Sequence, residues 1–263
     1  MNRIDQKFQE LKRNKKKAFI AFITAGDPDI STTQKLVIAF EKSGVDIVEL
    51  GVPFSDPMAD GPTIQASSAR ALAKGINLHS ILNLVRSIRK TSNIPIALMM
   101  YYNSVFHYGE AKFMQDAKKS GVDGLIIPDL PPQEAKNLIK LGKKHDMSIV
   151  FFLAPTTRKD RVARIAQAST GFIYYVSLTG VTGARQNVPS EVIANLRSLR
   201  AKIKKPICVG FGVSRPEHVR KLSSVADGVI VGSAIINQIV KNQGKKNLVA
   251  NVARYVRNLA RCV

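Results

Sequence analysis

Val45-Asp46-Ile47-Val48-Glu49-Leu50-Gly51 is largely apolar at consecutive positions, ends on a glycine and carries a carboxylate in its core. A strand with one wet face alternates apolar and polar residues, so an unbroken apolar run points to a parallel strand covered on both sides. The same kind of run recurs outward along the chain, at Phe19–Thr24, Ile47–Gly51, Ile96–Met100, Gly124–Ile127, Ser148–Leu153, Phe172–Val176, Ile207–Gly210 and Gly228–Gly232. Between the runs, apolar residues repeat at helical spacing: Leu36 with Ala39 and Phe40, Leu78 with Ile81, Leu82 and Val85, Leu138 with Leu141, Val162 with Ile165, Val192 with Leu196, and Leu248 with Val252, Tyr255 and Leu259. Ser214-Arg215-Pro216-Glu217 reads as a capping box with proline in the first helical turn.

Eight strand–helix units in 263 residues, unbroken by any linker, predict an α/β fold: a (β/α)8 barrel, residues 1–263, in a single domain with additional helices. The competing doubly wound sheet lacks its signature. Gly210-Phe211-Gly212-Val213-Ser214-Arg215 has an arginine where the third glycine of a dinucleotide fingerprint belongs, and there is no Walker-type phosphate loop.

Forty Lys and Arg against nineteen Asp and Glu leave a net charge of +21, while 45% hydrophobic and 22% charged residues exclude wholesale disorder. The excess is spread in small clusters such as Lys15-Lys16-Lys17, Lys118-Lys119 and Lys204-Lys205. With no aromatic-interleaved basic stripe, this pattern favours a solvated lysine-rich surface attracting anionic metabolites over nucleic-acid binding. Two cysteines, Cys208 and Cys262, are too few for a disulfide scaffold and point to a reducing compartment. No apolar run is long enough to cross a membrane and the first residues lack a signal-peptide pattern, so a soluble cytoplasmic protein is expected. His79, His107, His145 and His218 show no metal-ligand spacing, and no G-x-S-x-G elbow is present, which disfavours metal-dependent and serine-nucleophile mechanisms.

In a barrel of this type the working residues lie at the C-terminal ends of the strands. Glu49 sits near such an end in apolar surroundings, where a carboxylate is costly unless it is ion-paired or reactive. The following loop, Val52–Pro62, adds Asp56 and Asp60, which composition alone reads as turn formers but which can also bring a second carboxylate over the barrel mouth. Gly210-Phe211-Gly212 and Gly232-Ser233-Ala234 end the last two strands, where glycine lets backbone N–H groups approach an anion. Ser177–Ala184, after the sixth strand, is a third glycine-bearing loop able to close over the site.

On Gly51–Gln65, with Pro128-Asp129-Leu130-Pro131, Gly180-Val181-Thr182-Gly183, Gly210-Phe211-Gly212 and Gly232-Ser233, the chain resembles the tryptophan synthase α-subunit family over essentially its whole length. The resemblance implies a lyase in L-tryptophan biosynthesis that cleaves indole-3-glycerol phosphate to indole and glyceraldehyde 3-phosphate. It assigns proton transfer to Glu49, and to Asp60 the acceptance of the indole N–H. Phe22, Met100, Ile126 and Phe152 match indole-pocket positions; Tyr102 and Tyr174 match polar-tipped residues near the substrate; Phe211 joins the substrate-binding set. Gly183, Gly212, Gly232 and Ser233 match the phosphate cradle, and Thr182 matches a loop residue that orders the aspartate on closure. Leu178 stands where some members carry a charge. The resemblance implies no cofactor in this chain, because the protonated indole ring serves as electron sink. It further implies a partner β subunit bearing pyridoxal phosphate in an αββα assembly. A subunit that only activates its partner is the alternative, and the presence of both Glu49 and Asp60 speaks against it.

Overall fold

A computed structural model describes residues 1–176 and 188–263. Nine strands form one sheet: β1 (Ala18–Thr24), β2 (Ile47–Gly51), β3 (Ile96–Met99), β4 (Gly124–Ile126), β5 (Ser148–Val150), β6 (Phe152–Leu153), β7 (Ile173–Val176), β8 (Ile207–Gly210) and β9 (Gly228–Val231). Their order is β5-β4-β3-β2-β1-β9-β8-β7-β6, with every pairing parallel. β5 and β6 are the two halves of the single expected run Ser148–Leu153. The first half pairs with β4 and the second with β7, so the sheet returns on itself as a barrel of eight staves. The run is split at Phe151 because it changes partner there: the Phe151 carbonyl already accepts from Tyr174 N–H of β7 at 3.0 Å.

Twelve helices are described: α1 (Arg3–Arg13), α2 (Ile30–Glu41), α3 (Pro62–Leu72), α4 (Leu78–Ile88), α5 (Tyr102–Tyr108), α6 (Glu110–Ser120), α7 (Lys136–His145), α8 (Lys159–Ala168), α9 (Ser190–Lys202), α10 (Pro216–Ser223), α11 (Ser233–Asn242) and α12 (Leu248–Ala260). α4 is the clearest product of local rules. Asn77 and Ser80 form a reciprocal capping box, and Ile81, Leu82, Val85 and Ile88 bury one stripe. The box expected at Ser214 does not form. α10 starts at Pro216, which makes Arg215 the cap residue, and arginine has no acceptor to offer; Ser214 and Glu217 each fall one place early.

Two apolar clusters fill the fold. Side chains pointing outward from the strands, such as Phe19, Ala21, Val48 and Leu98, pack under the helices. The alternate side chains, including Ile20, Ile47, Ala97 and Ile126, fill the barrel interior. α1 closes the N-terminal end of the barrel by adding Ile4, Phe8 and Leu11 to the inner cluster. Buried Asp123 ties that end together, accepting from Arg3 Nη1 at 2.9 Å, Arg89 Nη2 at 2.7 Å and Ile96 N–H at 2.9 Å. Among the described residues no helix is long and apolar enough to cross a membrane.

Removing the Asp123 carboxylate strands a nearly buried Arg89 guanidinium, whose pKa burial already lowers to about 10. Asp123→Ala is expected to destabilise the fold by about 3–5 kcal/mol, as read by urea denaturation. Asp123→Asn, which keeps an acceptor for the Ile96 N–H, is expected to cost less.

Candidate active site

The inner face of the barrel is set by strand register. Parallel neighbours paired in register share a face, and here Phe22 pairs with Glu49, Glu49 with Ala97, Met99 with Ile126, and Phe152 with Tyr174. Ala97, Ile126 and Tyr174 belong to the inner cluster, and Met99 and Phe152 pack against it. Phe152 and Tyr174 stack with centroids 4.8 Å apart. Glycines make room for these rings: a Cβ on Gly51 would lie 2.6 Å from the Phe22 ring, and one on Gly210 would lie 2.9 Å from that of Tyr174.

The same alternation puts three of the expected residues on the outer face. Met100 has the opposite parity to Ala97 and Met99; it touches the edge of the cleft near Asp60, but its buried side chain packs in the outer cluster. Met99 takes its place inside. Tyr102 opens α5 and also packs outward, its hydroxyl donating to Glu110 Oε1 at 3.1 Å. Its neighbour Tyr101 is the tyrosine at Asp60. Phe211 follows Val209 in parity and packs in the outer cluster. Counting by twos from Ala97, which lies opposite Glu49, finds both Met99 and Tyr101; the register needed for that count is tertiary information.

Glu49 is fully buried on β2, and neither carboxyl oxygen has a hydrogen-bond partner among the described residues. Burial, and then the charge of Asp60, push its pKa up to about 8. The group therefore carries a proton at neutral pH and can lose it without leaving the range in which enzymes work. Burial followed by the nearby Glu49 charge also raises the Tyr174 hydroxyl well above its ordinary value.

Asp60 lies half-buried on the loop between β2 and α3. Burial raises its pKa and the Tyr101 hydroxyl, hydrogen-bonded to it, counters the rise. The same hydroxyl accepts from Ala59 N–H at 2.9 Å, and the Tyr101 ring stacks on Phe54 with centroids 5.0 Å apart. Behind the loop, buried Asp27 accepts from Ser67 Oγ at 2.6 Å and from Arg70 Nε at 2.9 Å, which locks α3 to the end of β1. Asp56, the other loop carboxylate, is exposed and accepts from Ser55 Oγ, as a turn residue does.

Across the rim, Gly212 has φ +60°, in the left-handed region that favours glycine. Gly232 caps α11 without any side-chain cap, leaving the first N–H groups of a helix that starts at Ser233 to face an anion. Thr182, Gly183 and Leu178 lie outside the described residues. Among those described, no group of His, Cys, Asp and Glu could hold a metal ion.

Fold and site together place the chain among the (β/α)8 barrels that carry their working residues at the C-terminal rim. A sequence model of the family described as tryptophan synthase alpha chain matches residues 8–263. A relative named tryptophan synthase alpha chain, from Caldanaerobacter subterraneus subsp. tengcongensis, is 50% identical over 259 residues, 98% of each chain. The crystal structure of tryptophan synthase subunit alpha from Legionella pneumophila superposes with a TM-score of 0.93 at 40% identity, covering 100% of this chain and 98% of that one. A chain of the tryptophan synthase a2b2 complex from Pyrococcus furiosus superposes with a TM-score of 0.86 at 39% identity, covering 92% and 97%. The chain belongs to the tryptophan synthase alpha chain family.

A carboxyl whose folded-state pKa is raised binds its proton more tightly in the fold than in the unfolded chain, so stability falls as pH rises from the unfolded to the folded pKa. For Glu49 that window runs from 4.5 to about 8. Glu49→Gln is neutral and escapes the loss. The variant is expected to match wild type in Tm near the lower limit and to exceed it progressively up to the upper one, as followed by calorimetry across pH.

Proposed function

We propose that the chain cleaves indole-3-glycerol phosphate in a reverse aldol reaction, giving indole and D-glyceraldehyde 3-phosphate for L-tryptophan biosynthesis. The observation that carries this reading is Glu49, buried and without a hydrogen-bond partner among the described residues, with its pKa near 8, next to the loop that holds Asp60. Protonated Glu49 donates to C3 of the indole ring, which makes the ring a cation. Its carboxylate then takes the proton of the side-chain hydroxyl. The C3–carbon bond breaks, its electron pair restores the aromatic ring, and the hydroxyl carbon becomes the aldehyde. Glu49 ends with its proton regained, so one group serves both transfers. Asp60 accepts the indole N–H and offsets the positive charge that grows on the ring.

Phe22, Met99, Ile126 and Phe152 offer an apolar wall to the indole, with Tyr174 at its polar edge. Gly212, Gly232 and Ser233 hold the phosphate through backbone N–H groups, joined by Gly183, with Thr182 closing on the aspartate. Indole passes to a β subunit in an αββα assembly, the partnership of the Pyrococcus furiosus complex named above. Residues 1–263 act as one domain, supported by the packing of α12 against α2 and α11. The enzyme works in the cytoplasm, in keeping with two free cysteines.

Indole release, measured with and without a cognate β subunit, tests the reading; a chain that releases no indole in either case overturns it. Glu49→Gln is expected to lower kcat by at least about 10²-fold with the fold intact. Asp60→Asn keeps an acceptor but not the charge, and is expected to leave a small, measurable rate. Tyr101→Phe removes the hydroxyl that holds Asp60 and Ala59. A lost hydrogen bond of about 1.5 kcal/mol corresponds to roughly a tenfold fall in kcat. Tyr102→Phe is expected to stay within about twofold of wild type, a difference smaller than one hydrogen bond's worth.

A further inference from the structure

At the opposite end of the barrel, where β1, β8 and β9 begin, the structure contains a cavity of about 300 Å³. Six cations line it: Lys12, Lys15, Lys16 and Lys17 from the end of α1 and the connection to β1, with Arg200 and Lys204 from the end of α9 and the connection to β8. Asp227 is the one carboxylate in the lining, and it is already engaged. It lies 3.1 Å from Arg200 Nε and 3.6 Å from Lys17 Nζ, and accepts from Ile207 N–H at 2.9 Å. Among the described residues, Lys12, Lys15, Lys16 and Lys204 form no side-chain hydrogen bond or ion pair.

Two bland explanations fall short on magnitude. Cations at helix C-termini offset the macrodipole, and both α1 and α9 end here, but two such ends carry together only about one negative charge. Asp227 supplies a second. Six cations against these leave about four positive charges facing one concavity. Nor does the backbone ask for lysine: the turn after α1 holds Lys15 at φ +54°, where glycine is the less strained choice. Phe8 and Leu11 form an apolar back wall that displaces water and strengthens the field inside.

We infer that this basal cavity binds a metabolite-sized, multiply charged phosphate compound, of the nucleoside or sugar polyphosphate type, at a site separate from the barrel mouth. A cleft of this volume, open to solvent where its lysines stand, suits a small, highly charged ligand. A nucleic-acid surface would set exposed aromatic rings among the cations to stack bases, and Phe8, the one aromatic in the lining, is buried.

Inorganic tripolyphosphate is the probe, titrated calorimetrically into the full-length chain at about 50 and 200 mM salt. Saturable one-to-one binding is expected, weakening with salt. The variant K15Q/K16Q/K204Q is expected to bind at least about tenfold more weakly while its indole release stays unchanged. The control K144Q/K245Q/K246Q, of equal charge loss elsewhere, is expected to bind as wild type. Absence of saturable binding, equal binding by the cavity variant, or equal weakening in the control overturns the inference. So does tighter binding of a nucleic-acid duplex through the same lysines, which would assign the cavity to a macromolecule.

Discussion

Parallel pairing in a fixed register sends each side chain to one of two faces, and the mouth of this barrel depends on that constraint. Phe22 opposite Glu49, Met99 opposite Ile126 and Phe152 opposite Tyr174 are consequences of the backbone ladder before they are features of a pocket. A slip of one residue in any strand would exchange its inner side chains for its outer ones, removing an acid or an aromatic wall from the site and forcing it among the helices. The closing strand shows how strictly the ladder is kept. Ser148–Leu153 changes partner at Phe151 and still delivers Val150 and Phe152 inward.

Within that frame the fold treats two buried carboxylates in opposite ways. Asp123, at the N-terminal end, is matched by two guanidinium groups and a backbone N–H, so its charge is satisfied and its role is structural. Glu49, toward the other end, has no partner at all among the described residues, and its desolvation favours the protonated form. The first arrangement stabilises the fold; the second stores a free-energy cost in a group that can shuttle a proton. Separating the two along the strands lets a firmly tied base support a reactive mouth.

Asp60 needs a different kind of support, because it sits on a loop rather than a strand. Tyr101 reaches it from the end of β3, and Asp27 fixes the helix into which the loop runs. The loop carboxylate is therefore positioned with the help of two segments far from it in sequence, around Asp27 and Tyr101, which local patterning does not mark as belonging with it.

The unbroken apolar runs determined that the strands are parallel and doubly covered, and eight of them with helical stretches between determined the barrel, because burial on both faces leaves a mark at every position of a strand. Glu49 stood out because its apolar context makes a carboxylate costly, and Gly212 and Gly232 because glycines close the last two strands. Asp60, by contrast, reads locally as a turn former and was singled out only by the resemblance of Gly51–Gln65 to a family motif. Met99 against Met100, and Tyr101 against Tyr102, were not legible. Adjacent identical residues differ only in which face they take, and that is decided by pairing with strands dozens of positions away. The lack of a partner for Glu49 among the described residues, the Asp123 network and the convergence of lysines beneath the barrel likewise came only with the tertiary structure. A carboxylate's pKa and a cation's free charge depend on what is brought near them in space, and one-dimensional order does not state what that is.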